Sequence, residues 1–221
     1  MHNLIKIFIN PEVSSGEKVE EAYRQQIKYL KRAWSDRTYG LERLVQLFLC
    51  VVQFIYPMLL VRDIFGRAGV TSRKMAGEFY AVLKWLFPLL VLSFWLYRHP
   101  TIIIVIVYLL SETIFHILSL IFLSDIHGMV PSYHRSILLL FLHYLEVVFD
   151  FAVVYICLGL LSQTLTPVSA VYFSLVASTT VGFGDIHAQG TIGQLIVIAQ
   201  LIVCVLFIIL FINYFLQRKE R

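Results

Sequence analysis

Charge is scarce in this chain. Its 221 residues include 18 Lys and Arg and 14 Asp and Glu, 14% in all, while 59% are hydrophobic. Soluble domains carry about 25% charged residues, and a mean hydropathy of +0.79 excludes an ordinary water-soluble fold. Cysteine is scarcer still. Cys50, Cys157 and Cys204 stand singly inside apolar runs, without metal-ligand spacing or a disulfide pattern, and read as small buried hydrophobes. No upstream helix carries Arg or Lys at every third position, the arrangement that couples charge movement to membrane potential, so steep voltage gating is not expected. A net charge of +4 fits basic membrane edges, and nothing points to nucleic acid as a partner. The chain also lacks a nucleophile–base constellation and a phosphate loop, so an enzyme is not expected. The first twenty residues have no long apolar core followed by a small-residue cleavage site, and no cleaved signal peptide is expected.

What the chain has in abundance is apolar length. Runs at 44–61, 80–97, 101–123, 137–161 and 191–216 approach the roughly 20 residues that a helix needs to cross a bilayer. The expectation is an all-α, multi-pass protein of the cell membrane. The second and third runs are joined only by Arg98-His99-Pro100, which makes them a tight hairpin. Upstream, 14–39 reads as an amphipathic helix. Ser14 and Glu17 have capping-box spacing, and Val19, Tyr23, Ile27, Leu30 and Trp34 recur at helical intervals. Such a helix lies either on the membrane surface or against another protein surface. The segments 162–168 and 186–192 contain no Lys or Arg, whereas Arg218, Lys219 and Arg221 close the chain, so the former are expected outside and the latter inside. Arg62, Arg67, Arg73 and Lys74 agree with an inner position for 62–79. Five spans are favoured, with a basic N-terminus then on the outer side; the alternative is that 44–61 does not fully cross.

Between the last two long runs lies Thr179-Thr180-Val181-Gly182-Phe183-Gly184-Asp185. Two glycines on alternate positions permit backbone angles that residues with a Cβ avoid, so successive carbonyls can turn the same way. Ahead of it, 168–178 is too short to span and follows Thr166-Pro167, a proline suited to the first turn of a helix.

Ser178 to Asp185 resembles the selectivity filter of tetrameric potassium channels, usually Thr-Val-Gly-Tyr-Gly-Asp, with Phe183 in the tyrosine place. The flanks 137–216 resemble the pore domain of that family in order and length. The resemblance implies a two-helix, re-entrant pore-loop domain preceded by about three additional hydrophobic helices. The divisions are an N-terminal interfacial segment at 1–43, upstream transmembrane helices at 44–123, a linker at 124–136, the pore domain at 137–216 and a basic tail at 217–221. It implies K+ coordinated by the carbonyls of Thr180, Val181, Gly182 and Phe183 and the Thr180 hydroxyl, with Gly184 completing the row. Thr179, Asp185, Tyr172, Phe173 and Val176 fall where the family supports its filter. One pore segment per chain implies three identical partner subunits, and no cofactor beyond the permeant ion.

Three positions depart from the family pattern. Val176 stands where an acidic residue sometimes lies, Phe183 lacks the usual hydroxyl, and Cys204 occupies the place of a glycine hinge. These imply a filter held more by packing than by hydrogen bonds, with gating at the filter. A C-terminal ligand-binding domain is not expected. Lys84, Glu112, His116, His143, Glu146 and Asp150 lie within apolar runs, where a charge is costly and invites a functional reading. They form either a polar or proton-sensing network, or plain interhelical pairs or water-facing helix ends. His187 is either an external pH sensor or a solvated loop residue. The alternatives to a potassium channel are a weakly selective cation channel, a potassium-transporter subunit or a non-conducting regulatory subunit.

Overall fold

A computed structural model describes residues 22–35, 40–66, 70–123, 133–163 and 166–219. The Ser14/Glu17 cap, Val19, Arg67, most of the 124–136 linker and the last two residues lie outside these. The described residues form eight α-helices: α1 Ala22–Ser35, α2 Leu41–Val52, α3 Pro57–Gly66, α4 Val70–Ser93, α5 Pro100–Phe122, α6 Tyr133–Leu158, α7 Pro167–Ser178 and α8 Gly190–Lys219. Four stretches are long and apolar enough to cross a membrane: Met75–Ser93, Pro100–Phe122, His134–Leu158 and Gly190–Leu216.

The run expected to span at 44–61 is broken. A 3₁₀ turn at Gln53–Ile55 ends α2, Tyr56 is extended, and α3 restarts at Pro57. The two segments meet at a 68° bend. Proline explains it: its ring disfavours helical angles in the preceding residue and it has no N–H to continue the ladder. Hydropathy alone does not register that break.

The chain divides into two compact units, with the division falling after Tyr80, within α4. In the first, α1 packs through Ala22, Gln26 and Ala33 rather than through its aromatic stripe. Gln26 Nε2 donates to the Cys50 carbonyl at 3.1 Å, and the Ala22 N–H to Asp63 at 3.0 Å. Small residues let helices approach closely, and the bulky ones are left over: Ile27 and Trp34 remain exposed.

In the second unit, α6 is the central element. Val147, Val148, Phe151, Ala152, Val153 and Tyr155 are all buried. One side of α6 shares a cluster with Ile117, Phe173, Val203 and Phe207, and another with Val91, Leu92, Ile106 and Ala170. The connection from α4 to α5 is tight, with Trp95 in the left-handed region and Pro100 opening α5. Helix α8 buries Gln200, Val203, Cys204, Phe207 and Leu210, while Leu195, Ile198, Ile202, Val205, Ile209 and Ile212 on its other side are exposed. An apolar face of that length is stable only against lipid or further protein.

Candidate functional site

Helix α7 starts as its sequence dictates. The Thr166 hydroxyl accepts the Ser169 N–H at 3.1 Å and Pro167 occupies the first turn. At its other end the chain turns into Thr179–Asp185. Thr179 N–H still bonds the Leu175 carbonyl, Thr180 N–H the Ala177 carbonyl, and Val181 N–H the Val176 carbonyl. The last carbonyls of α7 therefore anchor the base of the segment.

Above that anchor the backbone alternates. Thr180, Gly182 and Gly184 have φ of +58°, +59° and +81°, while Val181 and Phe183 stay at negative φ. Two glycines make this cheap, but Thr180 is β-branched, and a left-handed residue with a Cβ costs about 1–3 kcal/mol. The N–H groups of Thr180 and Val181 and the Thr180 hydroxyl, which donates to the Thr179 carbonyl at 2.7 Å, hold it there. None of the carbonyl oxygens of Thr180, Val181, Gly182, Phe183 and Gly184 accepts a hydrogen bond among the described residues. The side chains of Val181 and Phe183 are 55% and 69% exposed, so this apolar strand is only half surrounded by its own chain.

Behind the segment stand the aromatic residues. Tyr172 donates its hydroxyl to Asp185 Oδ2 at 2.9 Å, and its ring lies parallel to Phe183 at 6.5 Å. That hydrogen bond pushes the Tyr172 phenol above its ordinary range. Phe173 is buried edge-on against Tyr155 at 5.0 Å. Val176 is half-buried, and its carbonyl accepts both the Val181 N–H and the Thr179 hydroxyl. After Asp185 the chain pairs with the end of α6, through a bridge of Leu161 with Ala188 and a 2.7 Å bond from Gln189 N–H to the Leu160 carbonyl. His187 takes part through its backbone, bonded to Ser162, and its side chain is exposed. Gly193 sits under this pairing: a Cβ there would lie 3.2 Å from the Leu160 carbonyl oxygen. It is a close-packing glycine at the start of α8.

The ionisable residues inside the apolar runs converge. Lys84 Nζ lies 3.2 Å from Glu112 Oε2 and 3.0 Å from Glu146 Oε1. It also donates to Thr113, whose hydroxyl donates to Glu146 at 2.7 Å. His143 Nδ1 is 2.9 Å from Glu146 Oε2, and its ring lies 5.4 Å from that of His116. Asp150, 1% exposed, has no hydrogen-bond partner for either oxygen among the described residues. Lys84 is central in Met75–Ser93 and Glu146 in His134–Leu158, with Glu112 beside the centre of Pro100–Phe122. The expected interhelical pairs are thus present as one cluster, centred on Lys84. No grouping of three His, Cys, Asp or Glu among the described residues has metal-site geometry.

Cys204 lies within the unbroken α8, buried, with Ser178 as a side-chain neighbour. Sequence reasoning passed over the residue one turn before it. Gln200 is fully buried and bonds Ser174 and Ser178 of α7. The signal was available, since Gln200 is the one amide between Leu195 and Ile212.

Residues 143–220 match the family model described as ion channel. The match takes in most of α6, all of α7, the Thr179–Asp185 segment and α8. No curated protein and no solved structure matches the chain. The four apolar helices and the ion-channel match together make this an integral membrane protein with an ion-channel domain.

Proposed function

We propose that the chain is a subunit of a homotetrameric, potassium-selective channel whose ion path is lined by the backbone from Thr180 to Gly184. One observation carries this reading: a run of carbonyls that no protein donor claims, on a backbone that alternates in handedness at Thr180, Gly182 and Gly184. Alternation lets successive carbonyls turn to one side, and rings of such oxygens replace the hydration shell of K+. One chain supplies one oxygen per level, so the ring needs four copies. The exposed Val181, Phe183 and the apolar face of α8 offer surface for those copies. The pathway is passive, and nothing in the chemistry calls for a cofactor beyond the permeant ion.

The test is K+ flux into liposomes reconstituted with the purified protein, with Ba2+ as blocker, and reversal potentials in mixed K+ and Na+. K+ selectivity with block by Ba2+ is expected. Absence of flux at any pH or voltage overturns the reading, and a reversal potential near zero replaces it with a weakly selective cation channel. A second expectation concerns the stacked Tyr172 and Phe183 rings. Packing, with the bonds that Tyr172 and Gln163 make to Asp185, holds the outer part of the filter. Phe183→Tyr adds a hydroxyl at its edge, so conduction in low K+ is expected to collapse more slowly than in the wild type. Equal collapse rates would remove packing as the weak point.

A further inference from the structure

We infer that Gln200 of α8 is a positioning residue for the ion path, tying the inner end of the filter to the helix behind it. The inference rests on the channel reading above. Four buried polar side chains from three helices meet here: Tyr155 of α6, Ser174 and Ser178 of α7, and Gln200 of α8. Gln200 Nε2 lies 2.7 Å from Ser178 Oγ, 2.9 Å from Ser174 Oγ and 3.0 Å from the Ser174 carbonyl. Its Oε1 accepts the Tyr155 hydroxyl at 2.7 Å. Ser174 Oγ donates in turn to the Val148 carbonyl at 2.6 Å.

The donor and acceptor inventory leaves this network one direction. The Ser174 carbonyl can only accept, so the amide atom 3.0 Å from it must be the nitrogen, and the amide oxygen is left to accept from the Tyr155 phenol. Ser174 spends its only proton on Val148 and therefore accepts from Gln200. Both ends of the Gln200 amide are thereby occupied. An amide in an apolar helix is costly to bury unless it is fully hydrogen-bonded, so its position on α8 is bound to that of α7. The bond to Ser178 is the consequential one. Ser178 is the last residue of α7 and immediately precedes Thr179 and the strained Thr180. The N–H groups of Thr180 and Val181 hang on the carbonyls of Ala177 and Val176, so any displacement of the end of α7 reaches Thr180 through one turn of backbone.

A rotation or slide of α8 must break or drag the Gln200–Ser178 bond. Gln200 therefore transmits movement of α8 to the innermost carbonyls, and its loss uncouples the two. This gives the filter a mechanical input that needs no glycine hinge, which suits the unbroken α8 at Cys204.

The experiment compares wild type, Gln200→Leu and Ser178→Ala. Leucine is close to glutamine in volume and needs no partner, so it removes the tie while keeping the packing. Two quantities are read: the K+ concentration that half-maximally raises the melting temperature of the detergent-solubilised tetramer, and the external K+ concentration needed to sustain flux in liposomes. Both are expected to rise by at least about tenfold in Gln200→Leu, because all four copies lose a net-stabilising hydrogen bond. Ser178→Ala is expected to follow it, and the double variant to be no worse than Gln200→Leu alone, as for two residues of one unit. A merely structural role would lower the melting temperature equally at every K+ concentration. That outcome, or unchanged K+ dependence in both single variants, overturns the inference. If Gln200→Leu fails to assemble, Ser178→Ala, the smaller change, decides alone. A wild-type tetramer whose melting temperature ignores K+ refutes the channel reading, and this inference with it.

Discussion

Gly182→Ala is expected to abolish selective K+ flux. Gly182 has φ of +59° with nothing within 4 Å of the place a Cβ would take, so space is not the obstacle. The backbone is. A residue with a Cβ in the left-handed region costs roughly 1–2 kcal/mol, and the proposed pore carries four copies, so the ring is raised by about 4–8 kcal/mol. Each 1.4 kcal/mol is tenfold in an equilibrium, which corresponds to a loss of roughly three to six powers of ten in pores with a native filter. Gly159 supplies a control on the same chain. It follows α6 with φ of +61° and is equally open, yet it contributes nothing to the ion path. Gly159→Ala should lower stability by a similar amount per copy and leave the ratio of K+ to Na+ permeability unchanged. Should Gly182→Ala keep wild-type selectivity, the backbone alternation is not what selects the ion.

Lys84→Met is expected to be the most destabilising substitution in the upstream helices. One ammonium, 4% exposed, holds both Glu112 and Glu146. Removing one partner of a buried ion pair costs about 3–5 kcal/mol because the other charge loses its counter-ion, and here two carboxylates lose the same ammonium, although Glu146 keeps Thr113 and His143. For a chain of this size that is a fall in melting temperature of about 6–20 °C. Neutralising both carboxylates as well should recover part of it, since no buried carboxylate is then left without its counter-ion. The triple variant Lys84→Met, Glu112→Gln, Glu146→Gln should therefore melt above Lys84→Met alone. Intrinsic tryptophan fluorescence on heating in detergent reads both. If Lys84→Met melts with the wild type, the three helices are not held together by this charge.

The parts of the site written contiguously were legible in advance. Thr179 to Asp185 is one uninterrupted string whose glycine alternation is a local property, and Thr166-Pro167 marks the start of α7 without reference to anything distant. Tyr172 and Asp185 were each assigned to filter support by family resemblance, and the structure supplies the hydrogen bond between them. What escaped depends on helix rotation. Gln200 finds Tyr155 and Ser174 across 45 and 26 residues, and periodicity within α8 says nothing about which residue of another helix it will face. Lys84 likewise meets Glu112 and Glu146 on two other helices. The break at Pro57 escaped for a different reason. A window that averages hydropathy weighs proline by its side chain, whereas the bend comes from its missing N–H. In α1 the aromatic stripe was expected to meet the membrane surface or another protein surface, and periodicity gave no sign that Ala22, Gln26 and Ala33 would be the residues buried within the chain.

The central position of Lys84 also bears on how the chain is made. On insertion scales a lysine at the middle of a helix costs about 2.5–3.5 kcal/mol, so α4 leaves the translocon poorly if it leaves alone. Pro88 follows Lys84 by one turn inside the same helix and withholds the N–H that the Lys84 carbonyl would otherwise accept. Helix α5, with Glu112, begins only seven residues after α4 ends, close enough for the two to be synthesised and released as a hairpin. The salt bridge between them then forms as they enter lipid. The pair α4 and α5 is therefore the expected unit of insertion, with the short connection at 94–99 keeping Lys84 and Glu112 within reach of each other.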